Sequence, residues 1–244
     1  MYSYSTKQIK KVSIPADIDY LIERLKNIKR FDNSKYPKNV FIDDVKSHTL
    51  RTVLMIHKLN ITPNVKTKLV RTIFIHDIPE VLFRDVTALE KRQNPKLIPD
   101  ISREERLAAY KLLSKKDFEL FEDFRIAYDY LEGDNSAKSL VKSWALLANV
   151  LDRSEGNLFY HYYLTKWINS VSYDSKKLPP LISINHSFLQ HKLYLRQITA
   201  LKHVKSKYKN LALNIWNTRI KKIRGYWMNV NDKTKIPKKL SKLL

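Results

Sequence analysis

The chain has 244 residues, 43% of them hydrophobic, which supplies a buried core and excludes a disordered polymer. With no cysteine and only three glycines (Gly133, Gly156, Gly225), disulfides, thiolate metal sites, a cysteine nucleophile and glycine-rich phosphate cradles are all excluded. Net charge is +22 and uneven: residues 157–244 carry 18 Lys and Arg against Asp174 and Asp232, while residues 1–156 carry 28 against 22 acids.

Hydrophobic spacing predicts helices from one end to the other. Ile18, Leu21, Ile22, Leu25 and Ile28 recur at three- and four-residue steps after Pro15-Ala-Asp17, and a loop with Asp32, Asn33 and Pro37 follows. A second helix is expected over 43–59, opened by Asp43 and Asp44, and a third over 64–77, strongly apolar until Pro79 interrupts it. Ser102 followed by Glu105 reads as a capping box for a helix over 103–114. Helix 116–131 should end near Gly133, and a proline-free run covers 137–170. Pro179-Pro180 breaks the chain before a last helical stretch over about 185–228. Alternating strand patterns are nearly absent, so the expected fold class is all-α. No signal-like or membrane-length apolar run occurs, which points to a soluble, cytoplasmic protein without a membrane partner.

Histidine and carboxylate are the only strong metal ligands left. His76 and Asp77 are adjacent where an apolar helix stops. Neighbouring helical side chains diverge by roughly 100°, so both can meet one cation only at a helix end or bend, which Pro79 provides. On its own the pair could equally cap the next helix. His48 and His57 are nine residues apart, hence on opposite faces, so one is a candidate ligand and the other a surface or core residue. Asp152 is a lone acid after a long apolar segment, and His161, again nine residues on, lies across the helix from it. Glu80 follows His76 by four residues and Asp77 by three, which favours the same side, and Asp85 completes an acidic set that could also be a plain pair of helix-start acids.

The order His48, His76-Asp77, Asp152 resembles the signature of the HD-domain phosphohydrolases, and within them the 5'-deoxynucleotidase-like enzymes. HDIPEVLFRDVT keeps the family's His, Asp, Glu and second Asp at matching offsets, and Arg30-Phe31 stands where the family has an Arg near a Trp. REERLAAYKLL and SLVKSWALLANVLDRSEG resemble the connecting and final ligand helices, so the likeness covers about residues 17–165. Three positions depart from the pattern: Ser47 for an acid, Arg84 for a glycine, and Phe31 for the tryptophan.

The resemblance implies an HD-domain helical bundle over 1–170, and charge and periodicity add a basic helical C-terminal extension over 171–244, packed on or flanking it. It also implies one divalent ion (Mn, Co, Mg or similar) on His48, His76, Asp77 and Asp152. Glu80 would orient or deprotonate the attacking water, Asp85 would contact the sugar or assist the leaving oxygen, Arg30 would clamp phosphate, and Phe31 would line the sugar pocket. The implied reaction is removal of phosphate from nucleotides, with (deoxy)nucleoside 5'-monophosphates as substrates. Nucleoside triphosphates, signalling nucleotides or nucleic-acid phosphodiesters are alternatives within the same chemistry. The basic C-terminal region carries Tyr194, Tyr208, Trp216, Tyr226 and Trp227, compatible either with nucleic-acid binding, even in a non-enzymatic protein, or with an amphipathic core. The segment FYHYYLTKW suits a core or a homodimer interface equally.

Overall fold

The computed structural model describes residues 17–30, 43–82, 86, 91, 94–170, 193–232 and 236, and among them no strand occurs. Helix α1 (Ile18–Arg24) begins at Asp17, whose carboxylate accepts the Asp19 N–H at 3.1 Å. A 3-10 turn, Leu25–Asn27, follows, and an isolated antiparallel bridge pairs Lys29 with Asp44. That bridge leads into α2 (Val45–His57), and α3 (Pro63–Ile75) starts on a proline, whose missing N–H costs nothing in a first turn. After a 3-10 turn at Ile78–Val81 and another at Pro95–Leu97 come α4 (Ile98–Leu112) and α5 (Lys115–Glu132). The chain continues through a 3-10 turn at Asn135–Leu140, α6 (Ser143–Ser170), α7 (residues 193–200) and α8 (Ser206–Met228).

The described residues form two packed units, one up to Arg125 and one from Ile126 onward. In the first, Leu21, Ile75, Ile78, Ala109, Leu112, Leu113 and Phe121 make one buried cluster, with Ile18, Val81, Leu82 and Phe118 packed against it. Each fully buried Leu or Ile contributes about 1.5–3 kcal/mol. Arg71 of α3 reaches Asp117 of α5 with two 2.8 Å hydrogen bonds, and the Ser114 hydroxyl donates to the same carboxylate at 2.7 Å. The Arg71 guanidinium holds that carboxyl below the ordinary aspartate range.

One expected boundary is corrected. Ser102 does not cap a helix starting at 103, because α4 begins at Ile98 with Pro99 in its first turn. The proline's fixed φ suits that position, so the helix starts a full turn earlier. Ser102, inside the helix, accepts from Arg106 Nη1 at 2.8 Å and Arg125 Nη2 at 3.2 Å. Glu105 pairs with Arg125 at 2.9 Å instead of closing a box.

In the second unit, α5 ends on Gly133 at φ 115°, with Gly133 N–H bonded to the Tyr130 carbonyl and Asp134 N–H to that of Asp129, both at 3.0 Å. Only glycine adopts that backbone cheaply. Residues 145–151 of α6 are all buried, and α8, packed along α6, buries Ala212, Trp216, Ile220, Ile223 and Trp227. Arg219 Nη1 lies 3.5 Å from the Arg153 carbonyl, Trp227 Nε1 donates to His161 Nδ1 at 3.0 Å, and Asn231 N–H donates to Asn169 at 3.0 Å. Both partners advance together along their helices, so α6 and α8 run parallel.

The expected single helix over 185–228 is interrupted at 201–205, where Leu201 and Val204 are buried in a turn between α7 and α8. His203 Nε2 meets the Val141 carbonyl there at 2.9 Å. Gln197 of α7 exchanges two hydrogen bonds with Tyr130, at 2.8 and 2.7 Å. Among the described residues, no helix is long and apolar enough to cross a membrane.

Burial, with the Arg219 cation adding to it, pushes the His161 imidazole down to about 3. The native state therefore holds a neutral ring, whereas the unfolded chain takes up a proton near 6.5. Stability from this site is complete above pH 6.5 and falls as the pH drops towards 3. His161→Gln keeps an acceptor for Trp227 and removes the titration. Urea unfolding at pH 7 and pH 5 should show a steeper loss for the natural chain than for this variant, and equal losses would contradict the assignment.

Candidate functional site

The geometry of the first unit's histidines starts from a proline. A helix running through residue 79 would drive the Pro79 ring into the Ile75 carbonyl, so α3 stops at Ile75 and His76 becomes its cap. Asp77 follows at φ −96°, ψ −3°, before the 3-10 turn that holds Pro79 and Glu80. In that bent backbone His76 Nε2 and Asp77 Oδ1 lie 3.1 Å apart, a closeness that adjacent residues of a regular helix do not reach.

The other ring nitrogen is already committed. His76 Nδ1 lies 2.9 Å from the Ile73 carbonyl, one of the acceptors left over where a helix ends. A carbonyl can only accept, so Nδ1 carries a proton, and Nε2 is the nitrogen turned towards Asp77. Metal-binding histidines are oriented by a carbonyl in the same way, with the other ring nitrogen facing the ion. Phe124 of α5 packs on the His76 ring, with centroids 4.8 Å apart. Sequence reading missed this contact, since Phe124 looks like any apolar position of an amphipathic helix.

His48 approaches from α2. Its ring centroid is 6.3 Å from that of His76, and one ligand nitrogen of each lies within 4.8 Å of the other. His48 is buried at 2% exposure while His57 is exposed on the same helix, so the two occupy opposite faces. Asp44 fixes where α2 begins: its carboxylate accepts the Ser47 N–H at 2.8 Å and the Ser47 hydroxyl at 2.9 Å. Ser47, which stands where the resemblance led one to expect an acid, is therefore part of the cap.

Arg30 is placed by the same corner. Its N–H donates to the Asp43 carbonyl at 2.8 Å, and the Val45 N–H donates to the Ile28 carbonyl at 3.0 Å. These bonds pin Arg30, half-buried, against the start of the helix that carries His48. Glu80 is half-buried on the 3-10 turn, its N–H bonded to the Asp77 carbonyl at 2.9 Å. Asp152 belongs to the second unit, half-buried on α6. His161, across α6, is occupied by Trp227 in that unit's core. Phe31 and Asp85 lie outside the described residues.

Two imidazoles beside a carboxylate form a donor set suited to a divalent first-row ion and not to a soft thiophilic one. The orientation of the His76 ring by the Ile73 carbonyl fits such an ion as well. A helical frame in which a histidine meets a second histidine at a broken His-Asp defines an HD-type protein. Residues 19–155 match the family model described as YfbR-like 5'-deoxynucleotidase, and the chain belongs to that family. It is 30% identical over 128 residues to proteins described as 5'-deoxynucleotidases from Yersinia pestis (strain Pestoides F) and Yersinia pseudotuberculosis (serotype O:1b, strain IP 31758). The match takes in 50% of this chain and 64% of each relative. No solved structure matches the chain.

The Asp44 cap yields a direct test. Asp44→Ala should destabilise the protein by about 1 kcal/mol, the usual value for a lost N-cap. Amide hydrogen exchange should rise selectively in the first turn of α2. An unchanged melting temperature together with unchanged exchange would show that the cap does not hold the helix that bears His48.

Proposed function

We propose that the chain is a metal-dependent phosphomonoesterase acting on (deoxy)nucleoside 5'-monophosphates. The observation that carries this reading is the His48–His76 pair at the broken His-Asp, within a span that matches a 5'-deoxynucleotidase family. His48, His76 and Asp77 are assigned as ligands, and Asp152 as the fourth, from its place in the family's ordered signature. The ion would be Mn, Co, Mg or similar. Bound there, it supplies Lewis-acid polarisation of a phosphoryl oxygen and lowers the pKa of water.

The remaining work falls to the chain's own groups. Glu80, one turn beyond His76, takes the proton from the water that attacks phosphorus. Arg30 holds the phosphate through its planar guanidinium, and the main-chain bonds around Asp43 keep it from moving away. Asp85 supports the leaving sugar oxygen and Phe31 packs on the sugar, both on the strength of the motif alone. Ile73 positions His76 through its carbonyl and does not touch substrate.

Three variants test the assignment together. His76→Ala and Asp77→Ala should each lower phosphate release from deoxynucleoside monophosphates by at least ~100-fold, in line with the several kcal/mol that a bound ion contributes. Both should also reduce the metal retained after reloading of chelator-stripped protein, measured by elemental analysis. His57→Ala, on the opposite face of α2, should change neither. Undiminished turnover in either site variant overturns the assignment. Preference for triphosphates in a panel of mono- and triphosphates with Mn, Co and Mg overturns the substrate class while leaving the metal site standing.

A further inference from the structure

The five aromatic residues of the basic C-terminal region do not form one binding face: Tyr194, Trp216 and Trp227 are buried, and Tyr208 and Tyr226 are half-buried. The open aromatic surface lies where α8 meets the second half of α6. Tyr162 of α6 is 41% exposed, and its ring sits 5.6 Å from that of Tyr226 on α8. The succession continues along α6, with Tyr162 to Tyr163 at 5.8 Å and Tyr163 to Phe159 at 4.5 Å. Four rings thus follow one another without a gap, and Tyr163, Phe159 and Tyr226 are partly open to solvent.

Cations flank this row on both helices. Lys166, one turn after Tyr162, holds its Nζ 5.6 Å from that ring's centroid. Lys222, one turn before Tyr226 on α8, is exposed on the corresponding side. Neither helix supplies an acid beside them: α8 contains six Lys or Arg and no Asp or Glu, and α6 has no acid after Glu155. A solvated lysine face would ordinarily be interspersed with acids, and a buried aromatic cluster would not leave Tyr162 open. An exposed ring with half-buried neighbours, flanked by lysines on both helices, matches the chemistry of unpaired bases and their phosphates, where rings stack on bases and cations track the backbone.

We propose that this α6–α8 face binds single-stranded nucleic acid, with Tyr162 and Tyr226 stacking on bases and Lys166 and Lys222 contacting phosphates. Double-stranded ligands engage it less well, because paired bases do not offer their faces. The face lies wholly within the second unit, and the inference does not depend on the phosphatase reading.

The test uses the full chain and a fluorescein-labelled 12-nucleotide oligo(dT), followed by anisotropy at 50–200 mM salt. Affinity should fall linearly with salt on logarithmic axes. Tyr162→Ala should weaken binding by about 5- to 150-fold, the usual range for one lost base stack, and Tyr162→Phe should restore most of it. The double variant Lys166→Gln, Lys222→Gln should reduce the salt slope by about 1.4, from two lost phosphate contacts on a single strand. Circular dichroism melting of each variant checks that the helices persist, and His76→Ala should bind as tightly as the natural chain, which separates this face from the catalytic centre. The proposal is overturned by absent binding at 50 mM salt, by unchanged affinity in Tyr162→Ala, or by preference for the same sequence as a duplex. It is equally overturned if phosphatidylserine vesicles compete more strongly than oligonucleotide.

Discussion

The His76–Asp77 corner of the first unit depends on α3 being unable to continue past Ile75. Pro79 removes the room that the Ile75 carbonyl would need, and three consequences follow. His76 leaves the regular helix, Asp77 swings towards its Nε2, and the Ile73 carbonyl becomes the acceptor for its Nδ1. A residue without an N–H thus decides the orientation of a ring three positions earlier. Replacing that proline would disturb the His76–Asp77 geometry without touching either side chain.

The sequence was informative where it carried periodicity. Helical rotation alone separated His48 from His57, and the structure buries the first while exposing the second. The same argument set His161 across α6 from Asp152, and His161 proves to be a core acceptor for Trp227. The spans of α2, α3 and α5 fall within two residues of those read from apolar spacing. Such features are local: a nine-residue separation has the same meaning in any straight helix.

What sequence could not show depends on partners far along the chain. Ser102 and Glu105 have the spacing of a capping box, yet Arg125 and Arg106 claim them once α4 and α5 pack. Phe124 acquires its role at His76 only through tertiary approach. The turn at 201–205 is equally silent, because it contains neither glycine nor proline and is held by the burial of Leu201 and Val204. The tail aromatics illustrate the same limit. Their spacing was compatible with a core or a surface, and the two helices they sit between sent most of them inward and left Tyr226 at the edge.

The burial of Trp216 and Trp227 between the parallel α6 and α8 also has an optical consequence. All four tryptophans of the chain, at 144, 167, 216 and 227, fall after Arg125, so none belongs to the first unit. Intrinsic tryptophan fluorescence therefore reports on the second unit alone, whereas far-ultraviolet circular dichroism sums the helices of both. An unmodified chain carries its own two-channel readout of whether its halves melt as one transition or as two.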